Sequence, residues 1–203
     1  MSNTLVAPST SVAPSLASLR DKLPKQYQWL VKEVGPKMLI TGLQHFGCLE
    51  HKGRDNNPDI TKWAKEVGGK VAEVYLNDEI PWCGLFVAMC AKRSGYELPK
   101  DPLWALNWST FGNRQSVAKL GDVLTFIRRT STGAKAGHVS IYVGEDETAY
   151  HTLGGNQSDC VCITRMAKSR LYAIRRPEFK IGQPKNVRQI FLSANGKLSI
   201  NEA

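Results

Sequence analysis

Long apolar runs are missing from this chain of 203 residues. The most extended, Ile80 through Ala91, falls well short of the roughly 20 residues that a membrane helix needs, so no membrane span is expected. Histidine is scarce: only His45, His51, His138 and His151 are available for imidazole chemistry. Acidic residues are outnumbered, 18 Asp and Glu against 27 Lys and Arg, and the net charge is +9. The excess is uneven, net +2 over residues 1–113 and net +7 over residues 114–203. The five cysteines, Cys48, Cys83, Cys90, Cys160 and Cys162, are odd in number and follow no repeat. That argues against a disulfide framework and for folding in a reducing compartment. Residues 1–19 carry no charge and lack both a basic start and a continuous apolar stretch, so no signal peptide is read there. Residues 1–22 read as a flexible leader rich in Ser, Ala, Pro and Thr. No internal repeat is visible.

What is present has globular proportions, 42% apolar and 22% charged. Between Pro24 and Glu50 the residues Trp29, Leu30, Val34, Met38, Leu39, Leu43 and Phe46 recur at helical steps, with a break at Gly35-Pro36. Asn57 is a natural N-cap for a helix begun by Pro58 and favoured by Asp59, and Gly68-Gly69 ends it. Asn77 or Asp78 can cap a further helix with Pro81 in its first turn, in which Trp82, Leu85, Phe86, Met89 and Cys90 share one face. After Gly121 the period becomes two. Strands are predicted at Val123–Ile127, His138–Val143, Thr148–Leu153, Val161–Thr164 and Leu171–Ile174, with a last strand or hairpin around Val187–Leu192. Helices followed by short strands predict an α+β fold, with helices packed on an antiparallel sheet of five to six strands. The domain is expected over residues 23–178, and residues 179–203 read as a basic extension.

Cys83 falls at the start of a helix, where free N–H groups and the dipole favour a thiolate and can receive an oxyanion. The competing reading is a small buried apolar residue. A nucleophilic thiol needs a base, and His138 opens a strand on the side opposite Val139, Ile141 and Val143. Asn156, in the turn Gly154-Gly155-Asn156-Gln157, could supply the acceptor that orients the imidazole. Read blandly, His138 is a strand histidine and Asn156 a turn residue.

Four segments in order, Asp78-Glu79-Ile80-Pro81-Trp82-Cys83-Gly84-Leu85-Phe86-Val87, Gly121-Asp122-Val123-Leu124, Gly137-His138-Val139-Ser140-Ile141-Tyr142-Val143 and Gly154-Gly155-Asn156-Gln157, resemble the CHAP/NlpC-type cysteine peptidases and amidases of bacterial cell walls, phage-type members above all. The stretch from Glu50 through Pro58-Asp59-Ile60 to Trp63 resembles their entry region. The resemblance implies a papain-like fold, Cys83 as nucleophile, His138 as base, Asn156 as third polar member and cleavage of a peptidoglycan amide. Around this trio it assigns Trp82, Gly84, Gln157 and Asp78, and Glu50, Trp104 and Trp108 are candidates for a substrate groove. Where some relatives carry an acidic residue two positions before the third member, this chain has Gly154. The implied setting is a monomeric, endolysin-like lysis enzyme made in the host cytoplasm and reaching the wall after holin-type release.

Other patterns carry less. Asp55, Asn57, Asp59 and Glu66 echo a calcium loop, but Pro58 interrupts it and Ile60 stands where the turn needs glycine, so no calcium is expected. His45, Cys48 and His51 at steps of three lack a fourth zinc ligand, and Cys160-x-Cys162 with His151 is a similarly thin metal pattern. No cofactor or metal is therefore assigned. The basic second half suits a polyanion such as the acidic wall polymer, with no specific nucleic acid indicated. Two other functions fit the same residues: a non-catalytic basic protein that binds wall or nucleic acid, and a papain-like hydrolase or effector acting on another amide.

Overall fold

Apolar side chains at every second position after Gly121 call for a sheet with one face on a core, and here the other face is covered as well. The computed structural model describes residues 15–53, 55–129 and 134–199. Six strands, β1 (Asn113–Arg114), β2 (Val123–Arg129), β3 (Lys135–Glu145), β4 (Ala149–Gly154), β5 (Cys162–Ala167) and β6 (Leu171–Arg176), make one antiparallel sheet in the order β1-β6-β2-β3-β4-β5. The central pairing sets Val123 opposite Ile141 and Phe126 opposite His138. By the two-residue alternation, Val139, Ile141 and Val143 face the helices, while His138, Ser140 and Tyr142 face the other way. The molecule is α+β.

The helices are α1 (Lys37–Leu43), α2 (Pro58–Val67), α3 (Gly69–Val74) and α4 (Cys83–Arg93). Every residue from Cys83 to Ala91 is buried, because α4 lies between α1, α2 and the sheet strands β3 and β4. Trp63, Trp82 and Phe86 pack their rings together at this junction. Removing the Phe86 ring is expected to cost about 3–5 kcal/mol. On the far side of the sheet Leu124, Phe126, Tyr142, Met166 and Ile174 form a second, smaller core.

Several expectations shift. Asn57 caps α2 as predicted, its side chain accepting from the Asp59 N–H at 2.8 Å. Gly68 ends α2 as predicted, as its C-cap with φ of 75°, but an unpredicted helix, α3, follows at once. The fourth helix opens at Cys83 itself, so Pro81 precedes its first turn instead of lying within it. The pattern between Pro24 and Glu50 divides into a 3-10 segment (Lys25–Lys32) and α1.

Residues 15–22, predicted to belong to a flexible leader, are part of the folded body. Residues 16–22 form a 3-10 turn, and Leu19 and Leu23 are buried in the main core. The part of that prediction covering residues 1–14 lies outside the described residues. The stretch 179–199 does not simply trail from the domain: backbone bonds join Leu120 to Arg188, and Glu145 to Ile190 and Leu192. It forms no ladder strand at Val187–Leu192, only an isolated parallel bridge between Glu145 and Phe191.

Candidate active site

Cys83 opens α4 on the helix side of the sheet, and His138 leaves β3 on its other side, opposite Phe126; two short segments connect their surroundings. Trp82 is the N-cap of α4 and gives no side-chain cap, so the N–H groups of the first turn are not met by a capping side chain. Cys83 is buried at this point. Gly84 allows the next segment to come close: a Cβ there would lie 2.6 Å from the Leu103 carbonyl oxygen. Two residues on, Ala105 and Leu106 lie against Gly137, the residue before His138. One short segment thus spans the neighbourhoods of Cys83 and His138.

A second segment does the same. Gly155 packs so tightly on Trp82 and Phe86 that a Cβ would lie 2.6 Å from the indole ring. Two residues later Gln157 accepts at Oε1 from His138 Nε2, at 3.0 Å. The amide of Gln157 cannot turn round, because its Nε2 donates to the carbonyls of Cys162 at 2.6 Å and Thr152 at 3.3 Å. Gln157 Oε1 can only accept, so Nε2 of the imidazole carries the proton and the lone pair of a neutral His138 is on Nδ1. His138 and Gln157 are both fully buried.

Asn156, predicted to orient the imidazole, does not do so. Its backbone is left-handed with φ of 54°, and its Oδ1 is buried without a hydrogen-bond partner. Adjacent residues of a turn point in different directions, and the neighbour takes the role. The sequence held the right kind of group but could not choose between two amides in succession.

The remaining assigned residues surround this centre in different ways. Trp82 donates its Nε1–H to Glu50 Oε2 at 2.9 Å, which fixes the indole and sets a half-buried carboxylate beside the helix start. Burial pushes the Glu50 carboxyl up, against the opposing hydrogen bond from Trp82. Asp78 is a clamp and not an oxyanion group: its Oδ2 accepts from the backbone N–H of His51 at 3.1 Å and of Asn57 at 2.7 Å. Tyr75, not singled out from sequence, is buried with its hydroxyl donating to the Ile80 carbonyl at 3.2 Å. Burial first, then the charges of Asp78, Glu50 and a Cys83 thiolate, raise its pKa, so it stays a hydroxyl. Trp104 is 58% exposed and available to a groove, whereas Trp108 is fully buried with Nε1–H on the Pro102 carbonyl, and so lines no groove.

The other metal patterns have separate uses. The Asn57 side chain is spent on the helix cap, Glu66 pairs with Arg93 at 2.7 Å, and Arg93 also donates to His45. His151 is held by Tyr27 and Asp146. Among the described residues no three His, Cys, Asp or Glu side chains gather as a metal site, and no helix is long and apolar enough to cross a membrane. No family model, curated protein or solved structure matches the chain.

Proposed function

We propose that this protein is a peptidoglycan hydrolase of papain-like type, cleaving an amide bond through a thiolate on Cys83. The observation that carries the reading is the buried His138 with its Nε2–H fixed by Gln157, in a turn that also packs on Trp82 beside the cysteine. The four-segment resemblance to cell-wall peptidases and amidases, and the +9 charge, point the same chemistry at the acidic wall polymer.

In this mechanism the Cys83 proton passes to His138 Nδ1 and the thiolate attacks the amide carbonyl carbon. The N–H groups that open α4 receive the oxyanion. His138 then protonates the leaving nitrogen, the C–N bond breaks, and a thioester remains. Water, deprotonated by His138, releases the acyl group as a carboxylic acid and restores the thiol. Gln157 holds the ring through both protonation states because its carbonyl accepts from Nε2–H in each. Trp104, exposed, and Glu50, bonded to Trp82, are the residues this reading assigns to substrate, and an endolysin-like enzyme reaching the wall after release from the host cytoplasm is the setting it implies.

Digestion of purified peptidoglycan followed by mass analysis tests the proposal. The wild-type chain is expected to release amide-cleaved fragments without new reducing sugar ends, and Cys83→Ala to release none while folding normally. An unchanged fragment profile with the wild type, or full digestion by Cys83→Ala, would overturn it.

A further inference from the structure

Asn195 and Gly196 are the one Asn–Gly pair of the sequence, and both are exposed. They line an open cavity of about 470 Å³ together with Gln26, Tyr27, Arg165 and Lys197. The Asn195 amide is barely held: its Nδ2 donates to Gln26 Oε1 at 3.4 Å. Gly196 has φ of 94°, a Cβ there would meet nothing within 4 Å, and among the described residues its N–H has no acceptor. Asn57, Asn107 and Asn186 are better fixed, their side-chain amides donating to the Leu49 carbonyl at 2.6 Å, the Lys100 carbonyl at 2.9 Å and Glu33 Oε2 at 2.6 Å. Asn156 is buried. The segment from Gly196 onward is tied to β5, an edge strand of the sheet. The Gly196 carbonyl accepts from Arg165 Nη1 at 2.5 Å, and the Ser199 N–H donates to the Arg165 carbonyl at 2.8 Å. Upstream, the Leu192 N–H donates to the Glu145 carbonyl at 2.8 Å. Ser193, Ala194 and Asn195 therefore bridge two fixed points.

We propose that Asn195 is a site of spontaneous deamidation, and that its isoaspartyl product releases residues 196–199 from β5. The Gly196 nitrogen gives its proton to hydroxide and attacks the Asn195 Cγ, an approach that a side chain at position 196 would crowd. The new C–N bond closes a five-membered succinimide, and the side-chain nitrogen leaves as ammonia with a proton from water. Water from the cavity then adds to one of the two ring carbonyls and breaks its bond to the Gly196 nitrogen, which regains a proton. One water is consumed, one ammonia is released and nothing is oxidised or reduced. Opening at Cγ leaves an ordinary aspartate. Opening at the main-chain carbonyl leaves the chain running through Cβ and Cγ, which lengthens the backbone by one carbon, about 1.5 Å. Residues 193–195 hold a tight turn in which the Asn195 N–H donates to the Ser193 carbonyl at 2.8 Å, so the added length cannot be taken up with both fixed points kept. Arg165 also donates to Asp146 at 2.8 Å and to Thr148 at 3.2 Å, so it stays with β4 and the bonds to Gly196 and Ser199 give way.

Ageing the full-length protein in warm, mildly alkaline buffer tests the chemistry, with a synthetic peptide of residues 191–199 in the same tube as a clock. A proteolytic fragment containing Asn195 and Gly196 is expected to gain the mass of an NH-to-O exchange, several-fold faster in alkaline than in mildly acidic buffer. Protein isoaspartyl methyltransferase should then transfer a methyl group to that fragment. Exchange that is complete in the synthetic peptide and absent from the protein overturns the proposal, as does exchange at another asparagine before Asn195. Release is read separately, by deuterium exchange at the Ser199 amide. In the isoaspartyl fraction that amide should exchange about tenfold or more faster than in fresh protein. Asn195→Gln aged alike, in which the ring closes far more slowly, should keep the exchange rate of its fresh form. Ser199 protection that survives isoaspartate formation, or an equal loss of protection in Asn195→Gln, overturns the release. Neither readout involves hydrolysis, so each outcome is independent of the proposed function.

Discussion

His138 on β3 and His151 on β4 are both fully buried, and they are held by opposite kinds of partner. His151 donates from Nε2 to Asp146 at 2.8 Å and accepts at Nδ1 from the Tyr27 hydroxyl at 2.6 Å. Asp146 also accepts from Arg165 at 2.8 Å. Burial pushes Asp146 up, but the bonds from Arg165, His151 and Thr148 outweigh it and hold the carboxyl well below its ordinary range. Burial lowers His151 against the pull of Asp146, so the ring is neutral. That ring ties the N-terminal 3-10 segment to the sheet. His138 is steered through Nε2 by a neutral amide. A ring between a carboxylate and a hydroxyl is a structural rivet; a ring aimed by an amide on one nitrogen has its other nitrogen left for another task.

Substitution of the two rings should separate these roles. His138→Ala is expected to lower peptidoglycan hydrolysis by about 10³-fold or more, the scale of losing a general base in a covalent mechanism. His151→Ala should leave activity per folded molecule near wild type and cost about 3 kcal/mol in urea unfolding, because Asp146 and the Tyr27 hydroxyl lose a buried partner. The reverse pattern, with activity lost at His151 and stability at His138, would break the comparison.

The amide is the next point of difference. Gln157→Ala should slow hydrolysis about 10- to 100-fold with the larger effect on kcat, since the ring loses orientation but not basicity. Gln157→Glu, with the same reach, should move the pH profile upward, because a carboxylate favours imidazolium, and should cost stability, because it sets an oxygen against the Cys162 and Thr152 carbonyls. An unchanged profile in that variant would mean that Gln157 does not steer the reacting ring.

These contrasts also mark how far the sequence could be read. The period-two segments at Val123, His138, Thr148, Val161 and Leu171 all became strands, since alternation demands a two-faced sheet whatever packs on it. The two-residue β1 gave no such signal, and α3 was hidden behind Gly68-Gly69, where only tertiary packing resumes the helix. At the site, Cys83 and His138 stood out by residue type and position. The choice of Gln157 over Asn156 depended on which side chain the turn directs inward, a matter of φ at Asn156 and of carbonyls supplied by Thr152 and Cys162. The pairing of Tyr27 with His151, 124 positions apart, left no local trace.

The pH dependence of stability should report the rivets. Burial, then the Arg93 charge, lowers His45 to about 4, and His151 is lowered in the same direction. A depressed histidine binds its proton more readily when unfolded, so its contribution is complete above about pH 6.5 and is lost as the pH falls toward the folded value. For His45, discounted for partial exposure, the loss is about 2 kcal/mol between pH 7 and 4. Asp146, lowered instead, adds a loss only below about pH 4. His45→Gln, which still offers Arg93 an acceptor, should flatten the slope in urea midpoints between pH 7 and 5. A slope as steep as wild type would remove His45 from the account.

The smallest expected effect isolates one bond of the rivet. Burial raises Tyr27 to about 12, so it remains a donor at any working pH. Tyr27→Phe keeps the ring against His151, where the two planes meet at 68°, and removes only the hydroxyl. The His151 Nδ1 lone pair is then buried unmatched, at a cost of about 1 kcal/mol. Proton uptake at that nitrogen offers no escape, because an imidazolium would need a second acceptor in the place just vacated by the hydroxyl. The destabilisation should therefore be the same at pH 7 and pH 5, unlike that of His45→Gln. A Tyr27→Phe protein that loses hydrolysis while losing only this much stability would mean that His151 takes part in the chemistry, and would merge the two histidine sites into one.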